Sequence, residues 1–292
     1  MPPDPSHPTL DVAVIGSATL DRIVLEDRTA EKIGGVAVYA GITFQKHGLE
    51  TAVLANIAEA DLRHFHVLEE SGVCLVPGAT AATTRFVNRE TGGRRVQEMP
   101  ACADPIRCRE WLEAVYSVRH VHLGPLHPND IHPDLLSFVK RGRYFVSLDV
   151  QGFVRRIRDS AVEAEVSERL EEVLSFADTV KATGEELRLI LERFGTDVQT
   201  LQARFGFGEL LVTCGAVGGR LINASGETID YAPVRAERVD DPTGAGDVFF
   251  AAYLGGRYHE GWTAHESLAH AAQIAALHVE GKYIPKILLE II

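Results

Sequence analysis

Short apolar runs and longer stretches of helical period alternate along the chain. Val12 to Ile15 is an apolar run closed by Gly16-Ser17. It reads as a buried parallel strand with its loop at the carboxyl end. Thr51 to Leu54, His120 to Leu123, Tyr144 to Leu148, Thr179 to Ala182 and Leu210 to Thr213 share that character. Between these runs, apolar positions recur at helical spacing over Val36 to His47, Asp61 to Ser71, Pro105 to Tyr116, Pro133 to Lys140, Val162 to Ala177, Gly184 to Phe194 and Val198 to Phe205. Strands alternating with helices predict βαβ units, and so an α/β fold with helices on both faces of a mainly parallel sheet. No Pro/Gly-rich linker divides the chain, so residues 1–292 are expected to form a single domain.

Two stretches break the alternation. Asp21 to Ile33 switches between polar and apolar positions without a helical stripe, and Thr83 to Met99 reads as two strands around Asn88 to Gly93. Thr-Gly-Gly there is a hairpin turn signal. These segments, about 21–33 and 83–99, are expected to form a small antiparallel β lid over the carboxyl ends of the parallel strands, where open α/β sheets bind their ligands.

Composition narrows the function classes. Hydrophobic residues make up 46% of the chain and charged residues 24%, which excludes a disordered or fibrous protein. The formal net charge of -12 disfavours nucleic acid and anionic lipid as partners. No apolar run has the length of a membrane span. Cys74, Cys102, Cys108 and Cys214 form no C-x-x-C pair and read as reduced thiols, which predicts a cytoplasmic location. The proline-rich start, MPPDPSHPTL, lacks the features of a signal peptide. His120 and His122 would share one strand face, but no acidic or cysteine partner stands at metal-ligand spacing.

The sharpest chemical feature is Asp240-Asp241-Pro242-Thr243-Gly244-Ala245-Gly246-Asp247, followed by an apolar helix from Val248 to Leu254. Glycines before a helix permit tight geometry and close approach, and the first-turn N–H groups with the helix dipole make an anion hole. A carboxylate beside such a hole repels the anion unless it has a task there. One task is to accept the proton of a hydroxyl that attacks a phosphate, which asks little of the base because the transition state is loose. The alternative is that Asp247 only complements the helix dipole. G-x-S-x-G, G-x-x-x-x-G-K-S/T and G-x-G-x-x-G are absent, which argues against a hydrolase elbow, a P-loop and a dinucleotide site.

DPTGAGD before an apolar helix resembles the C-terminal signature of the ribokinase, or pfkB, family of sugar and nucleoside kinases. The resemblance spans nearly the whole chain and implies a three-layer ribokinase-like fold with a β lid. Asp21, after VAVIGSATL, matches the family's hydroxyl-binding Asp, and Gly34-Gly35 match its early double glycine. LLVTCGAVGG, Leu210 to Gly219, resembles the nucleotide strand and loop, and KATGEEL, Lys181 to Leu187, the N-x-x-E region that holds Mg²⁺ through water. SLDVQGFVR, Ser147 to Arg155, resembles a D-x-Q-G-x-x-R segment of the branch that includes inositol-kinase-like members. By this resemblance Asp247 is the catalytic base, and the amides of Gly244, Ala245 and Gly246 hold the transferring phosphoryl group. Asp21, Gly34 and Gly35 bind the acceptor; Tyr39, Gln151 and Arg155 are further acceptor candidates, the alternative for Gln151 and Arg155 being a solvated loop with Arg155, Arg156 and Arg158 as a basic face. Thr213, Gly215, Gly218 and Thr243 bind ATP, and Glu186 holds Mg²⁺ through water. Arg85, Arg94 and Arg95 are further candidates to balance charge from the lid.

Two positions depart from the family pattern. The Asn of N-x-x-E is Thr183, whose hydroxyl can still hold a metal-bound water. Where ribose-specific members carry an Asn, this chain has Tyr39, which disfavours ribose. The expected activity is ATP-dependent phosphorylation of a sugar or an inositol-like cyclitol. A nucleoside kinase, or a non-catalytic sugar- or nucleotide-binding relative, is the alternative. The resemblance also implies a homodimer paired through the lid.

Overall fold

The computed structural model describes residues 10–24, 29–91, 94–107 and 118–291, and the side chains of 90–95 lie outside that description. In chain order the first elements are β1 (Leu10–Gly16), β2 (Thr19–Val24), β3 (Thr29–Gly34), α1 (Val36–Lys46), β4 (Thr51–Asn56), α2 (His66–Glu70), β5 (Cys74–Gly78), β6 (Thr84–Thr91), β7 (Arg94–Ala101) and β8 (Val118–Gly124). There follow α3 (Pro133–Arg141), β9 (Phe145–Asp149), β10 (Arg155–Arg158), β11 (Ala161–Ala164), α4 (Leu170–Leu174), β12 (Thr179–Thr183), α5 (Gly184–Phe194) and α6 (Val198–Phe205). The last are β13 (Glu209–Thr213), β14 (Gly219–Asn223), β15 (Thr228–Tyr231), α7 (Ala245–Leu254) and α8 (Ala264–Val279).

Every apolar run read as a strand lies in one nine-stranded sheet of order β15-β14-β13-β12-β9-β8-β1-β4-β5. From β13 to β5 the neighbours are parallel, and β14 and β15 extend the edge antiparallel. Alternation along β1 feeds both faces. Val12 and Val14 join a core with α1, α7 and α8, while Ala13 and Ile15 join a second core with α3 to α6. The result is the expected three-layer α/β arrangement. Helix ends follow local chemistry: Thr183 and Glu186 cap the start of α5 reciprocally, and Gly195 and Gly206 stop α5 and α6 at φ 62° and 82°.

The lid is larger than the sequence predicts. It is a six-stranded sheet of order β10-β11-β7-β6-β2-β3, in which β2 and β6 pair in parallel. Its strands branch from carboxyl ends of the main sheet, β2 just after β1, β6 after β5 and β10 after β9. Val162 to Ala177 does not form the expected helix. Ala161–Ala164 pairs with β10 and β7, and only Leu170–Leu174 is helical. Asp61 to Ser71 divides into a 3₁₀ stretch, Glu59–Phe65, and the short α2. The expected helix over Pro105 to Tyr116 falls mostly outside the described residues. β5, absent from the predicted strands, is an edge strand, where its Pro77 is tolerated.

Candidate active site

The start of α7 is built over side chains from other elements. Gly244 has φ 79°, which favours glycine. A Cβ on Gly244 would lie 2.4 Å from the Tyr39 ring, so the turn rests on that ring. Tyr39, expected beside the acceptor, is 1% exposed and also stacks edge-on with His278 at 5.4 Å. It supports the glycine turn from below and does not present a surface to solvent. His278 Nε2 meets the Thr243 carbonyl at 2.8 Å. The Ala245 N–H donates to the Pro242 carbonyl at 3.2 Å and closes the turn, so it is not an open anion donor. Among the described residues no acceptor takes the N–H groups of Gly244, Gly246 or Asp247, as at an uncapped helix start.

Asp247 follows in the first turn of α7, half-buried and crowded by charge. Burial, and then the like charge of Asp149, push its pKa up to about 7, against the pull of Lys181 and Arg155. Lys181 and Asp149 face each other in register on β12 and β9 and form a buried ion pair, Nζ to Oδ2 2.7 Å. Burial works against the Lys181 charge, but Asp149, Glu186 and Asp247 hold its pKa above the ordinary lysine value. A Cβ on Gly246 would come within 3.3 Å of Lys181 Nζ, so the ammonium lies against the bare face of that glycine.

Of the predicted acceptor residues, Asp21, Gly34 and Arg155 lie on lid strands, and Gln151 follows β9. Asp21 on β2 is buried, and a Cβ on Gly34 would meet its Oδ2 at 2.8 Å. Gly35 has φ 89° and lies so close to the Ser17 carbonyl that a side chain is excluded. Gln151 follows β9, and its N–H donates to Asp149 Oδ1 at 3.0 Å. Arg155 starts β10, holds the Leu126 carbonyl at 3.4 Å and lies over the Phe86 ring at 5.9 Å. Of the lid arginines, Arg85 turns to Asp61 at 3.3 Å, while the side chains of Arg94 and Arg95 lie outside the described part.

On the other flank, Thr183 and Thr213 sit opposite each other at the carboxyl ends of β12 and β13. The loop after Thr213 exposes Gly215 and carries Val217, 80% exposed. Gly218 has φ 97° and packs on the Tyr231 carbonyl and Pro233. Thr183 and Glu186 form the capping box of α5: Glu186 Oε2 accepts the Thr183 N–H at 2.8 Å, and Thr183 Oγ1 accepts the Glu186 N–H at 3.2 Å. Among the described residues no group of three or more His, Cys, Asp or Glu side chains could hold a metal ion by itself. His120 and His122 share the Ser147 hydroxyl at 2.7 and 2.8 Å, a packed polar cluster.

Sequence reading missed two residues of this site, Lys181 and Lys32. Lys181 lay inside a quoted motif, but its partner Asp149 is brought in only by strand register. Lys32, on the lid, pairs with Asp241, whose Oδ1 accepts the Thr243 N–H at 2.9 Å.

Residues 69–284 match the pfkB family of carbohydrate kinases. The chain is 26% identical over 259 residues to the cytidine kinase of Thermococcus kodakarensis, covering 85% of this chain and 88% of that protein. It resembles a solved pyrophosphate-dependent kinase of the ribokinase family, complexed with a pyrophosphate analog and myo-inositol. The TM-score is 0.81 at 25% identity, covering 92% of this chain and 95% of that one. It shares its fold with Arabidopsis thaliana ribokinase complexed with ribose and ATP, TM-score 0.71 at 22% identity, covering 94% and 93% of the two chains.

Proposed function

This chain belongs to the pfkB family of carbohydrate kinases, and on that premise we propose that it phosphorylates a hydroxyl of a sugar or cyclitol with ATP, an inositol-like ring being the favoured acceptor. It is a phosphotransferase with a hydroxyl acceptor. One observation carries the reaction: the Asp247 carboxylate and the open amides of Gly244 and Gly246 share the first turn of α7. Asp247 takes the proton of the attacking hydroxyl. The acceptor oxygen bonds to the terminal phosphorus, the bond to the bridging oxygen breaks, and ADP leaves with the electron pair. The amides receive the phosphoryl oxygens, and Asp21 orients the acceptor through its other hydroxyls. Closure of the lid excludes water, so the acceptor and not water is phosphorylated.

An acceptor without a base is favoured because the two aromatic rings available for stacking, Tyr39 and Phe86, are 1% and 2% exposed. The similarity to a kinase complexed with myo-inositol supports a cyclitol. For the donor, Thr213, Gly215 and Gly218 are assigned to the nucleotide with Thr243, and the bare Val217 supplies apolar surface for its base. Gln151 and Arg155 complete the acceptor and phosphate side. Magnesium fits Glu186, which faces Asp247 and Lys181 and suits a cation that keeps several waters. When bound it would neutralise donor phosphate charge. We also assign the chain to a single domain and a homodimer paired through the lid edge at β10, since residues 289 and 291 already bond to the other edge, β3.

The test is ADP release from ATP against cyclitols, hexoses, pentoses and nucleosides, with pyrophosphate as a second donor and Asp247→Asn run in parallel. Cyclitol-dependent ADP release that the variant loses supports the reading. Nucleoside-dependent turnover would overturn the acceptor assignment, and normal turnover by a folded Asp247→Asn would overturn the base. Binding of acceptor and ATP without ADP formation would identify a non-catalytic relative.

A further inference from the structure

We propose that Lys181 is a catalytic residue: its ammonium meets the transferring phosphoryl group past the bare face of Gly246 and steadies the charge on it. This rests on the kinase reading above and adds a side-chain cation to a hole otherwise made of amides.

Three observations converge. Lys181 Nζ lies 3.3 Å from where a Gly246 Cβ would stand, so that glycine leaves open the space between the ammonium and the helix start. An ammonium has three N–H donors. Asp149 takes one at 2.7 Å, and among the described residues no other acceptor takes the remaining two, although the side chain is only 4% exposed. The site is also acidic: the carboxylates of Asp149, Glu186 and Asp247 bear on Lys181, and Arg155 joins it as a cation that bears on Asp247. A donor phosphate entering beside three carboxylates needs a fixed cation, and burial makes that cation more effective than one in water. Lys181 moves no proton; Asp149 holds it in place.

The position of Gly246 then has a chemical reason. Alanine there suits a helix better than glycine, and no positive φ demands glycine. A methyl group would wedge between the ammonium and the phosphate.

The test compares the wild type with Gly246→Ala and with the paired variant Lys181→Met/Asp149→Asn, which removes both charges together and so leaves no buried lone carboxylate. Calorimetry reads the binding of ATP and of inorganic pyrophosphate, and steady-state assays read kcat, donor KM and the pH profile. The expected result is donor binding weakened at least about 10-fold and kcat reduced about 100-fold in both variants, a scale typical of a lost charge-stabilising donor, with melting temperatures near wild type for Gly246→Ala. Donor affinity and kcat equal to wild type in the folded paired variant would overturn the assignment of Lys181 while leaving the kinase reading intact. A wild type that binds donor but releases neither ADP from ATP nor phosphate from pyrophosphate with any acceptor would overturn the kinase reading, whereas weaker donor binding by the variants would still uphold Lys181 as the phosphate's cation. A wild type that binds neither donor would overturn both.

Discussion

Lys32 on lid strand β3 and Asp241 in the turn ahead of α7 form an ion pair in which the lysine side chain is 2% exposed and the aspartate 22%. The two lie 209 positions apart in the chain. Asp241 also receives the Thr243 N–H, so one carboxylate ties the lid to the loop that presents Gly244. Lys32 stands two residues before Gly34, which abuts Asp21. A displacement of the lid therefore bears on both Asp21 and the turn at Gly244.

Breaking this pair from one side should cost more than removing it whole. Lys32→Met leaves a half-buried carboxylate without its cation and is expected to destabilise the fold by about 2–3 kcal/mol, somewhat below the range for fully buried pairs. Lys32→Met/Asp241→Asn should recover at least about 1 kcal/mol of that. Urea denaturation of the four proteins in the double-mutant cycle measures the coupling. Additive losses would show that the pair does not link lid and loop.

Asp247 should set an acid limb on the activity. Its pKa of about 7 reflects burial first and Asp149 second, and only the ionised form can accept the hydroxyl proton. kcat/KM is therefore expected to fall as pH drops below about 7, and Asp149→Asn should move that limb to lower pH by removing the like charge. The same shift affects stability with the opposite sign. A carboxyl whose folded pKa is raised contributes stability that is complete below its unfolded value of about 3.9 and is lost as pH rises through about 7. Asp247→Asn should accordingly melt a few degrees above wild type at pH 8, with the gap closing toward pH 4. A pH-independent gap would contradict the assignment.

The buried histidines predict acid lability. His122 and His47 are held down to about 4, His122 by burial against the upward pull of Asp149 and with a smaller push from Lys181, and His47 by burial, His270 and His259. His120, wedged between Ser147 and His259, is lowered as well, by burial, His122 and His259. Each folded pKa lies below the unfolded value of about 6.5, so the unfolded chain binds more protons and stability falls as pH drops from about 6.5 toward 4. Melting temperature measured from pH 7.5 to 4.5 should show this slope, and His120→Gln/His122→Gln should flatten it. An unchanged slope would assign acid lability to the carboxylates.

Much of the fold was legible from local pattern. Val12 to Ile15 and the other parallel strands are continuous apolar runs because both of their faces are covered, and that leaves a mark in consecutive residues. Ala161 to Ala164 left no such mark: Ala-Val-Glu-Ala is as compatible with a helix as with a strand, and its pairing with β10 and β7 decided the outcome. Tyr39 read as an acceptor candidate because it stands where ribose-specific members of the family carry an Asn, and the fold packs its ring under Gly244.

The sequence by itself determined the class of chemistry, because DPTGAGD places glycines, open amides and a carboxylate within one helical turn, and geometry that local is encoded in neighbouring residues. Only the tertiary structure decided which charges surround that turn. Lys181 meets Asp149 across 32 positions through the register of β12 against β9, and Lys32 meets Asp241 through the docking of the lid. Electrostatic interaction depends on distance in space and on burial, and neither quantity exists along the chain until the sheet has formed and the lid has closed over its carboxyl ends.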